Sequence, residues 1–346
     1  MNYPFQNPDY ERVPNYHRAT EVETLQADAL SQRVFESEYV NRNRPCLIRG
    51  AAQHWPAYDR WTSVDYLKSR CGDAEVKVHS SPVIEADALL SSQEKQTWLM
   101  MLRLTQSPVH MRFGDFLDHA TDLQSGPSDD LLFLYSVPLA PGGPLSELGE
   151  DVGGYPFLKR HRPALFASYP RNNAFFYRSS LTDWHYHATA EALQTQVLGT
   201  KEVMLLPPSG EVWSYMFPLH STRLHLYDYD LSENEQARQI VPLRAVLYPG
   251  DALYIPAFWW HLVSTRRHRG LGATVPTWWR TPVHVQCDQR FPVNRAILQA
   301  MLAGRPDWRR AAMLLPAMMA GAAWARLRSV AFPDVQHDHD GLRLPS

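Results

Sequence analysis

Two histidines separated by one residue, His185 and His187, are the first feature of the sequence that could carry chemistry. The surrounding residues predict a strand over 183–187, and residues two apart on a strand point to the same side. Two imidazoles held side by side can bind one divalent metal ion, and imidazole suits iron, zinc, copper or nickel. His337 and His339 have the same spacing but lie in a polar tail, where we expect solvated side chains.

A third candidate ligand, His261, closes a stretch over 249–261 that reads as a Pro-Gly-Asp turn, a strand and a second Pro turn. A β-barrel brings such distant strand ends together, so three imidazoles could form one site and leave further coordination positions open. Glu191 follows His187 by four residues and is a substitute carboxylate ligand if His187 points away. The alternative for Glu191 is an ordinary loop or surface glutamate.

The elements that must position these side chains are short strands. The pattern of short apolar stretches separated by Gly, Pro and polar turns is typical of an antiparallel barrel or double sheet. We predict a mainly β fold with flanking helices. The barrel strands are predicted at 174–179, 183–187, 193–198, 201–206, 244–248, 252–255, 262–266 and 272–275, with earlier strands at 45–51, 75–79 and 131–137 and helices at 22–40, 63–70 and 111–120.

The chain divides into four predicted parts. Residues 1–130 are an N-terminal helical and strand region, 131–290 the β core, 291–332 C-terminal helices, and 333–346 a tail. The run 311–325 is apolar nearly all round but shorter than the about 18 residues that a membrane span needs. We therefore expect these helices to be covered by a second copy, making a homodimer, or by the chain's own N-terminal helices.

Composition excludes several classes of protein. Of 346 residues, 45% are hydrophobic and 20% charged, which is typical of a globular protein rather than a disordered one. The formal net charge of −2 favours neither nucleic acid nor an anionic membrane as partner. The three cysteines are widely spaced, so no disulfide framework or cysteine zinc site is indicated. The first residues lack a signal-peptide pattern, and we expect a cytoplasmic protein.

Three motifs carry a family resemblance. They read RPCLIRGA at 44–51, QVLGTK at 196–201 and PGDALYIPAFWWH at 249–261. With these motifs in this order, the chain resembles the Jumonji-C and cupin-like 2-oxoglutarate oxygenases over about residues 20–285, especially the subgroup similar to factor-inhibiting asparaginyl hydroxylase. The resemblance implies a double-stranded β-helix, the cupin or jelly-roll core, that holds Fe(II) and 2-oxoglutarate.

The resemblance also implies roles for individual residues. His185 and His261 match the first and last metal ligands, whereas His187 stands where the family has a carboxylate, so the predicted site is three-histidine. Lys201 matches the lysine that binds the distal carboxylate of 2-oxoglutarate, and Thr182 matches its hydroxyl partner. Tyr135, or Phe133 two residues earlier, matches a tyrosine that reaches the same carboxylate.

Substrate contacts are predicted at Arg178, Trp184 and Trp279, close to the histidines in sequence. The predicted substrate is a peptide or protein side chain, with a small metabolite as the alternative. Two other readings stay open: a three-histidine metalloenzyme of the cupin superfamily that does not use 2-oxoglutarate, and a non-catalytic cupin-like binding protein.

Overall fold

The computed structural model describes residues 15–81, 109–122, 131–158, 173–180, 182, 186–187, 190–208, 241–265, 270–282 and 285. His185 and Trp184 lie outside the described residues. The predicted C-terminal helices at 291–332 and the tail at 333–346, with their expected role in a homodimer, also lie outside them.

Two β-sheets form the described fold, which confirms the predicted mainly β, jelly-roll architecture. One has four strands in the order β1-β10-β9-β12, and the other has nine in the order β2-β3-β11-β8-β13-β7-β6-β4-β5. β1 and β2 pair in parallel with β10 and β3, and the remaining pairs are antiparallel. The strands are β1 (Thr20–Glu21), β2 (Thr24–Gln26), β3 (Cys46–Arg49), β4 (Glu75–Ser81), β5 (Val109–Arg112), β6 (Leu131–Pro138), β7 (Asn173–Ser179), β8 (Ala190–Leu198), β9 (Lys201–Leu206), β10 (Leu243–Leu247), β11 (Ala252–Ile255), β12 (Trp260–Ser264) and β13 (Gly272–Arg280).

The described helices are short and flank the nine-stranded sheet. Ser63 caps the helix Val64–Cys71 by accepting a hydrogen bond from the Tyr66 N–H, as its position before the helix predicts. All of these helices fall short of the length and apolar character that a membrane span requires. They are α1 (Gln32–Val34), continued by a π-helical segment (Phe35–Val40), α2 (Pro56–Arg60), α3 (Val64–Cys71) and α4 (Phe113–Thr121), with 3₁₀ turns at Tyr16–Arg18 and Ser146–Asp151.

The predicted helix over 22–40 is wrong in its first half. Thr24–Gln26 instead pairs in parallel with β3, and helix begins only at Gln32, after Ser31 accepts a hydrogen bond from the Val34 N–H. In this first half Val22 is buried and Leu25 is half-buried, and both lie against strands rather than on a helix face. Tertiary pairing overrides a helical spacing that is only a weak signal on its own.

The nine-stranded sheet has two differently buried faces. Its inner face joins the four-stranded sheet in one apolar cluster, which includes Leu253, Val203 and Trp278. Its outer face packs on the N-terminal helices in a second cluster, which includes Tyr254 and Phe35. Leu253 and Tyr254 are adjacent on β11, so strand alternation assigns successive residues to opposite sides. The inner face is where a barrel holds its ligands.

An aspartate buried outside the barrel fixes the N-terminal helices. Asp151 accepts hydrogen bonds from Arg60 (2.8 Å), from the indole N–H of Trp61 (3.0 Å) and from the hydroxyl of Tyr66 (2.9 Å). The carboxylate is buried and Trp61 is fully buried. Removing the Asp151 carboxylate would leave the buried Trp61 N–H without an acceptor. A buried donor without a partner destabilises the fold by its full desolvation penalty.

Replacing Asp151 by alanine is expected to lower the free energy of unfolding by about 2–3 kcal/mol, because the buried Trp61 donor and the Arg60 charge lose their acceptor. Urea unfolding measures this. Asp59→Ala, at an exposed carboxylate on α2, is the matched control and should change stability by no more than about 0.5 kcal/mol. Equal losses in the two variants would show that the buried network contributes nothing of its own.

Candidate metal centre

His261 occupies the second position of β12 and is 2% exposed. Its Nδ1 lies 3.0 Å from the carbonyl oxygen of Trp259. A carbonyl only accepts, so Nδ1 carries the proton and the lone pair is on Nε2. Metal-binding histidines are oriented in this way, with one ring nitrogen donating to a backbone carbonyl and the other facing the metal.

His187 lies beside His261, with 4.8 Å between the ring centroids. The predicted strand over 183–187 is not formed at its described end, since Tyr186 and His187 lie outside any strand. The position of His187 is instead fixed by its carbonyl, which accepts a hydrogen bond from the Phe258 N–H at 2.9 Å. The structure therefore brings these two predicted ligands together by a contact that strand alternation did not foresee.

Among the described residues, no group of three or more His, Cys, Asp or Glu side chains is arranged to hold a metal ion. The structure shows a pair of imidazoles, and the third predicted ligand, His185, is outside the described part of the chain. Two adjacent imidazoles, one with its tautomer set for Nε2 coordination, fit a divalent transition metal.

Glu191, the substitute carboxylate, is not brought to the histidine pair. β8 begins at Ala190, so Glu191 is a strand residue between two alanines of the inner cluster and points to the outer face. It is fully buried, and its Oε2 accepts hydrogen bonds from the Tyr254 hydroxyl (2.6 Å) and the Ala257 N–H (3.2 Å). Burial raises the pKa of Glu191 to about 7, although these two donors act in the opposite direction.

Trp278 and Trp279 lie on opposite faces of the nine-stranded sheet. Trp279, predicted to touch substrate, is 2% exposed in the outer core and stacks on Tyr254 at 5.8 Å. Its neighbour Trp278 faces inward and meets the ring of His187 edge to face at 4.5 Å. Trp278, rather than the predicted Trp279, therefore lies beside the histidine pair.

Lys201 begins β9 and pairs with Leu247 on the inner face of the small sheet. It is 6% exposed, and burial lowers the pKa of its ammonium group to about 7. Its contact among the described residues is the ring of Tyr177, 5.6 Å from Nζ. No carboxylate of the described residues forms an ion pair with Lys201, so this buried cation fits an anionic ligand.

Tyr177, which the sequence analysis did not single out, lies beside Lys201. It is buried on β7, and its hydroxyl accepts a hydrogen bond from Gln196 Nε2 at 2.6 Å. The Thr274 hydroxyl in turn donates to Gln196 Oε1 at 2.8 Å. Burial raises the pKa of Tyr177 to about 12, so it stays neutral. The available signal was the alternation of the predicted strand 174–179.

Thr182 lies against β12. Its N–H donates to the Val263 carbonyl and its hydroxyl oxygen accepts from the Val263 N–H, both at 3.0 Å. Val263 is two residues from His261 on the same strand face. Among the contacts of the described residues this hydroxyl only accepts, so its hydrogen is available as a donor.

Two other predicted site residues, Tyr135 and Arg178, are less buried than Lys201. Tyr135 is 48% exposed and meets Phe175 edge to face, whereas Phe133 is the residue in register with Tyr177. The structure therefore brings Phe133, rather than Tyr135, beside Tyr177. Arg178 is half-buried where the β6–β7 register shifts, and such a bulge can re-aim a side chain.

Comparison with known proteins finds a matching family model and several similar proteins. Residues 31–284 match a family model described as a cupin-like domain. Lysine-specific demethylase JMJ30 of Arabidopsis thaliana is 26% identical over 256 residues, covering 72% of this chain and 53% of the relative. tRNA wybutosine-synthesizing protein 5 of Homo sapiens is 25% identical over 252 residues, covering 72% and 75%.

A third relative is the bifunctional peptidase and (3S)-lysyl hydroxylase JMJD7 of Homo sapiens. It is 28% identical over 267 residues, covering 66% of this chain and 76% of the relative. The chain spans about half the length of the two Arabidopsis relatives that it matches, at 53% of each.

Proposed function

We propose that this chain, which belongs to the cupin-like domain family, is an Fe(II)- and 2-oxoglutarate-dependent oxygenase. The observation that carries the proposal is the His187–His261 pair on the inner side of a barrel that also buries Lys201 without a carboxylate partner among the described residues. His261 and Lys201 lie on neighbouring strands of the four-stranded sheet, and a metal-chelating dicarboxylate requires a metal site and an anion site near each other.

The residues that would hold the iron are His187 and His261, with His185 as the third. The hydrogen bond from His261 Nδ1 to Trp259 supports Nε2 as the donor atom. Three neutral imidazoles leave the full charge of the metal uncompensated, whereas a carboxylate ligand would remove one unit. Such a site favours an anionic co-ligand more strongly than the usual ligand set does.

2-Oxoglutarate fits the remaining groups. Lys201 would pair with its distal carboxylate, and Thr182 would donate to the same group. When bound, iron and 2-oxoglutarate activate O2, giving succinate, CO2 and an oxidised substrate carbon. The chain's own contribution is to orient the dicarboxylate and to exclude water, for which it offers the apolar inner face around Val203, Leu205 and Trp278.

The substrate that we propose is a peptide or protein side chain. Two relatives are named as a lysine-specific demethylase and a lysyl hydroxylase, which supports this class. A third relative is named for a tRNA modification, so the family relationship alone does not select a substrate. The net charge of −2 gives no general attraction to nucleic acid, which favours the peptide over tRNA.

The proposed activity predicts succinate formation by the purified protein in the presence of Fe(II), O2 and 2-oxoglutarate, even without substrate, as slow uncoupled turnover. Succinate is measured by NMR, with Fe(II) and 2-oxoglutarate omitted in turn. Succinate should form only when both are present. His110→Ala, at an exposed histidine on β5, is the control that should behave as wild type.

A second candidate is a three-histidine oxygenase whose substrate itself chelates the metal. The imidazole of His187 in place of the family carboxylate favours it, whereas the buried Lys201 argues against it. Metal-dependent O2 consumption that is unaffected by omitting 2-oxoglutarate would select this reading. If the protein neither bound metal nor consumed O2, the remaining interpretation would be a non-catalytic cupin-like binding protein.

A further inference from the structure

The turn that precedes β12 contacts both histidines of the His187–His261 pair. We call residues 256–259 the ligand turn. The Phe258 N–H in this turn holds the carbonyl of His187, and the Trp259 carbonyl holds Nδ1 of His261. The geometry of the histidine pair therefore depends on where the ligand turn sits.

The ligand turn contains an unfavourable backbone conformation. Phe258 has a φ of 69°, in the left-handed region that a large side chain rarely occupies. A residue held there is strained, and it persists only where its surroundings impose the conformation. Contacts from neighbouring elements must therefore hold this turn in its conformation.

Glu191 holds it from β8. Its Oε2 accepts the Ala257 N–H at 3.2 Å and the Tyr254 hydroxyl at 2.6 Å, and Tyr254 lies on β11, just before the turn. The side chain is fully buried. A buried carboxyl in this position ties the turn to the central strands of the nine-stranded sheet.

Asn43 holds the same turn from the N-terminal region, 214 residues away in sequence. Its Nδ2 donates to the Ala257 carbonyl at 3.0 Å, and its Oδ1 and backbone oxygen both accept from the Trp259 indole N–H at 2.9 Å. Asn43 is buried and itself has a φ of 54°, which asparagine tolerates better than most residues.

We propose that Asn43 and Glu191 are positioning residues that set the spacing of the His187–His261 pair by clamping the ligand turn. This inference rests on the proposed function only in taking the pair as metal ligands. Neither residue touches the histidine rings in the described contacts, and together they engage the N–H and the carbonyl of Ala257. Partners of this kind behind metal ligands are commonly worth 10- to 100-fold in metal affinity.

The test is the affinity and visible spectrum of the full chain with Co(II), together with the imidazole ¹⁵N shifts of the metal-free protein. Asn43→Gly removes the side chain while tolerating the positive φ. Glu191→Ala removes the carboxylate that accepts the Ala257 N–H. Each should weaken Co(II) binding by about 10- to 100-fold and change the spectrum. Glu191→Gln, whose amide oxygen can accept both hydrogen bonds, should bind within about threefold of wild type.

Thr195→Val is the matched control. Thr195 is fully buried on the same strand and face as Glu191, and its hydroxyl bonds with Tyr155 at 2.5 Å, away from the ligand turn. It should lose stability without losing Co(II) affinity. If Thr195→Val and Glu191→Ala weakened Co(II) binding equally, the positioning role proposed for Glu191 would be wrong. The loss would then follow from destabilising the fold rather than from moving the ligand turn. Wild-type affinity and spectrum in Asn43→Gly would overturn the clamp as well.

The metal-free protein separates this proposal from the function. The wild-type ¹⁵N shifts of His261 should report the Nδ1–H tautomer, and Asn43→Gly and Glu191→Ala should alter them. If wild type bound no Co(II), the proposed function would fail, while altered shifts would still support the clamp. Unchanged shifts in both variants would overturn the clamp whatever the metal result.

Discussion

Replacing His261 by alanine is expected to weaken Fe(II) and Co(II) binding by more than about 100-fold, since partners behind the ligands alone are worth up to that much. The imidazole is buried, and its orientation is fixed by the Trp259 carbonyl, so no other described side chain can take its place. His187→Ala should have a similar effect, because its ring lies beside that of His261. Anaerobic titration of the metal measures both.

The control for these variants is His110→Ala, which removes an exposed imidazole paired with Glu75. His187→Asp is the sharper probe, because it recreates the two-histidine, one-carboxylate set of the resembling family and should still bind Fe(II). Full metal occupancy in His187→Ala would mean that this imidazole is not a ligand, and the three-histidine site would then be wrong.

Replacing Lys201 by alanine is expected to weaken 2-oxoglutarate by about 10- to 150-fold, since a charge-assisted hydrogen bond contributes about 1.5–3 kcal/mol and 1.4 kcal/mol is tenfold. Binding should also depend on pH. Burial lowers the pKa of Lys201 to about 7, so above pH 7 the free protein must take up a proton to bind the anion. Affinity should fall about tenfold per pH unit above 7.

Calorimetry across pH 6–9 checks both parts of this prediction. Lys77→Ala, at an exposed lysine on β4, is the matched control and should keep the wild-type affinity and slope. Lys201→Arg should lose the slope, because guanidinium stays charged throughout this range. Wild-type-like binding of 2-oxoglutarate in Lys201→Ala would contradict the assignment of this residue.

The same pKa shift predicts a stability effect of defined sign. Between pH 7 and the unfolded-state pKa of 10.5, the unfolded chain binds more protons at Lys201 than the folded chain does. Stability of the metal-free protein therefore rises with pH in this window, as far as Lys201 contributes. Lys201→Ala should remove that contribution.

The strands were predictable because their signals are local. Short apolar stretches between Gly and Pro turns located β9 and β11 to the residue, and the capping serine located α3 to within one residue. The motif residues also have structural reasons. Asp251 forms an ion pair with Arg49 and accepts the Tyr248 N–H, and Gly250 has a φ of 88°, which a side chain would make costly.

The candidate site was less predictable because it depends on parity and on distant contacts. A shift of one residue along a strand exchanges its two faces, and β13 carries a register shift between Ala273 and Thr274. Trp278 and Trp279 therefore could not be told apart from spacing. The inward position of Tyr177 and the outward position of Glu191 likewise depend on strand parity, which alternation indicates only once one residue of the strand has been assigned to a face.

The placement of His187 shows the second limit. Its sequence suggested a strand, whereas the structure fixes it through the Phe258 N–H, from a turn that the Asn43 side chain holds across the fold. No local pattern encodes such a contact. The sequence could thus name the two histidines and the Pro turn before His261, but not the hydrogen bond by which that turn positions His187.

The most direct test is a crystal structure of the protein with Fe(II), prepared anaerobically, and a 2-oxoglutarate analogue. The predicted result is one metal ion with the ring nitrogens of His187 and His261 at about 2.0–2.2 Å, as for coordinated imidazole. Lys201 Nζ should lie about 2.7–2.9 Å from the distal carboxylate of the analogue. A metal ion with the His187 ring more than about 3 Å away, or an analogue that Lys201 does not contact, would contradict the proposed site.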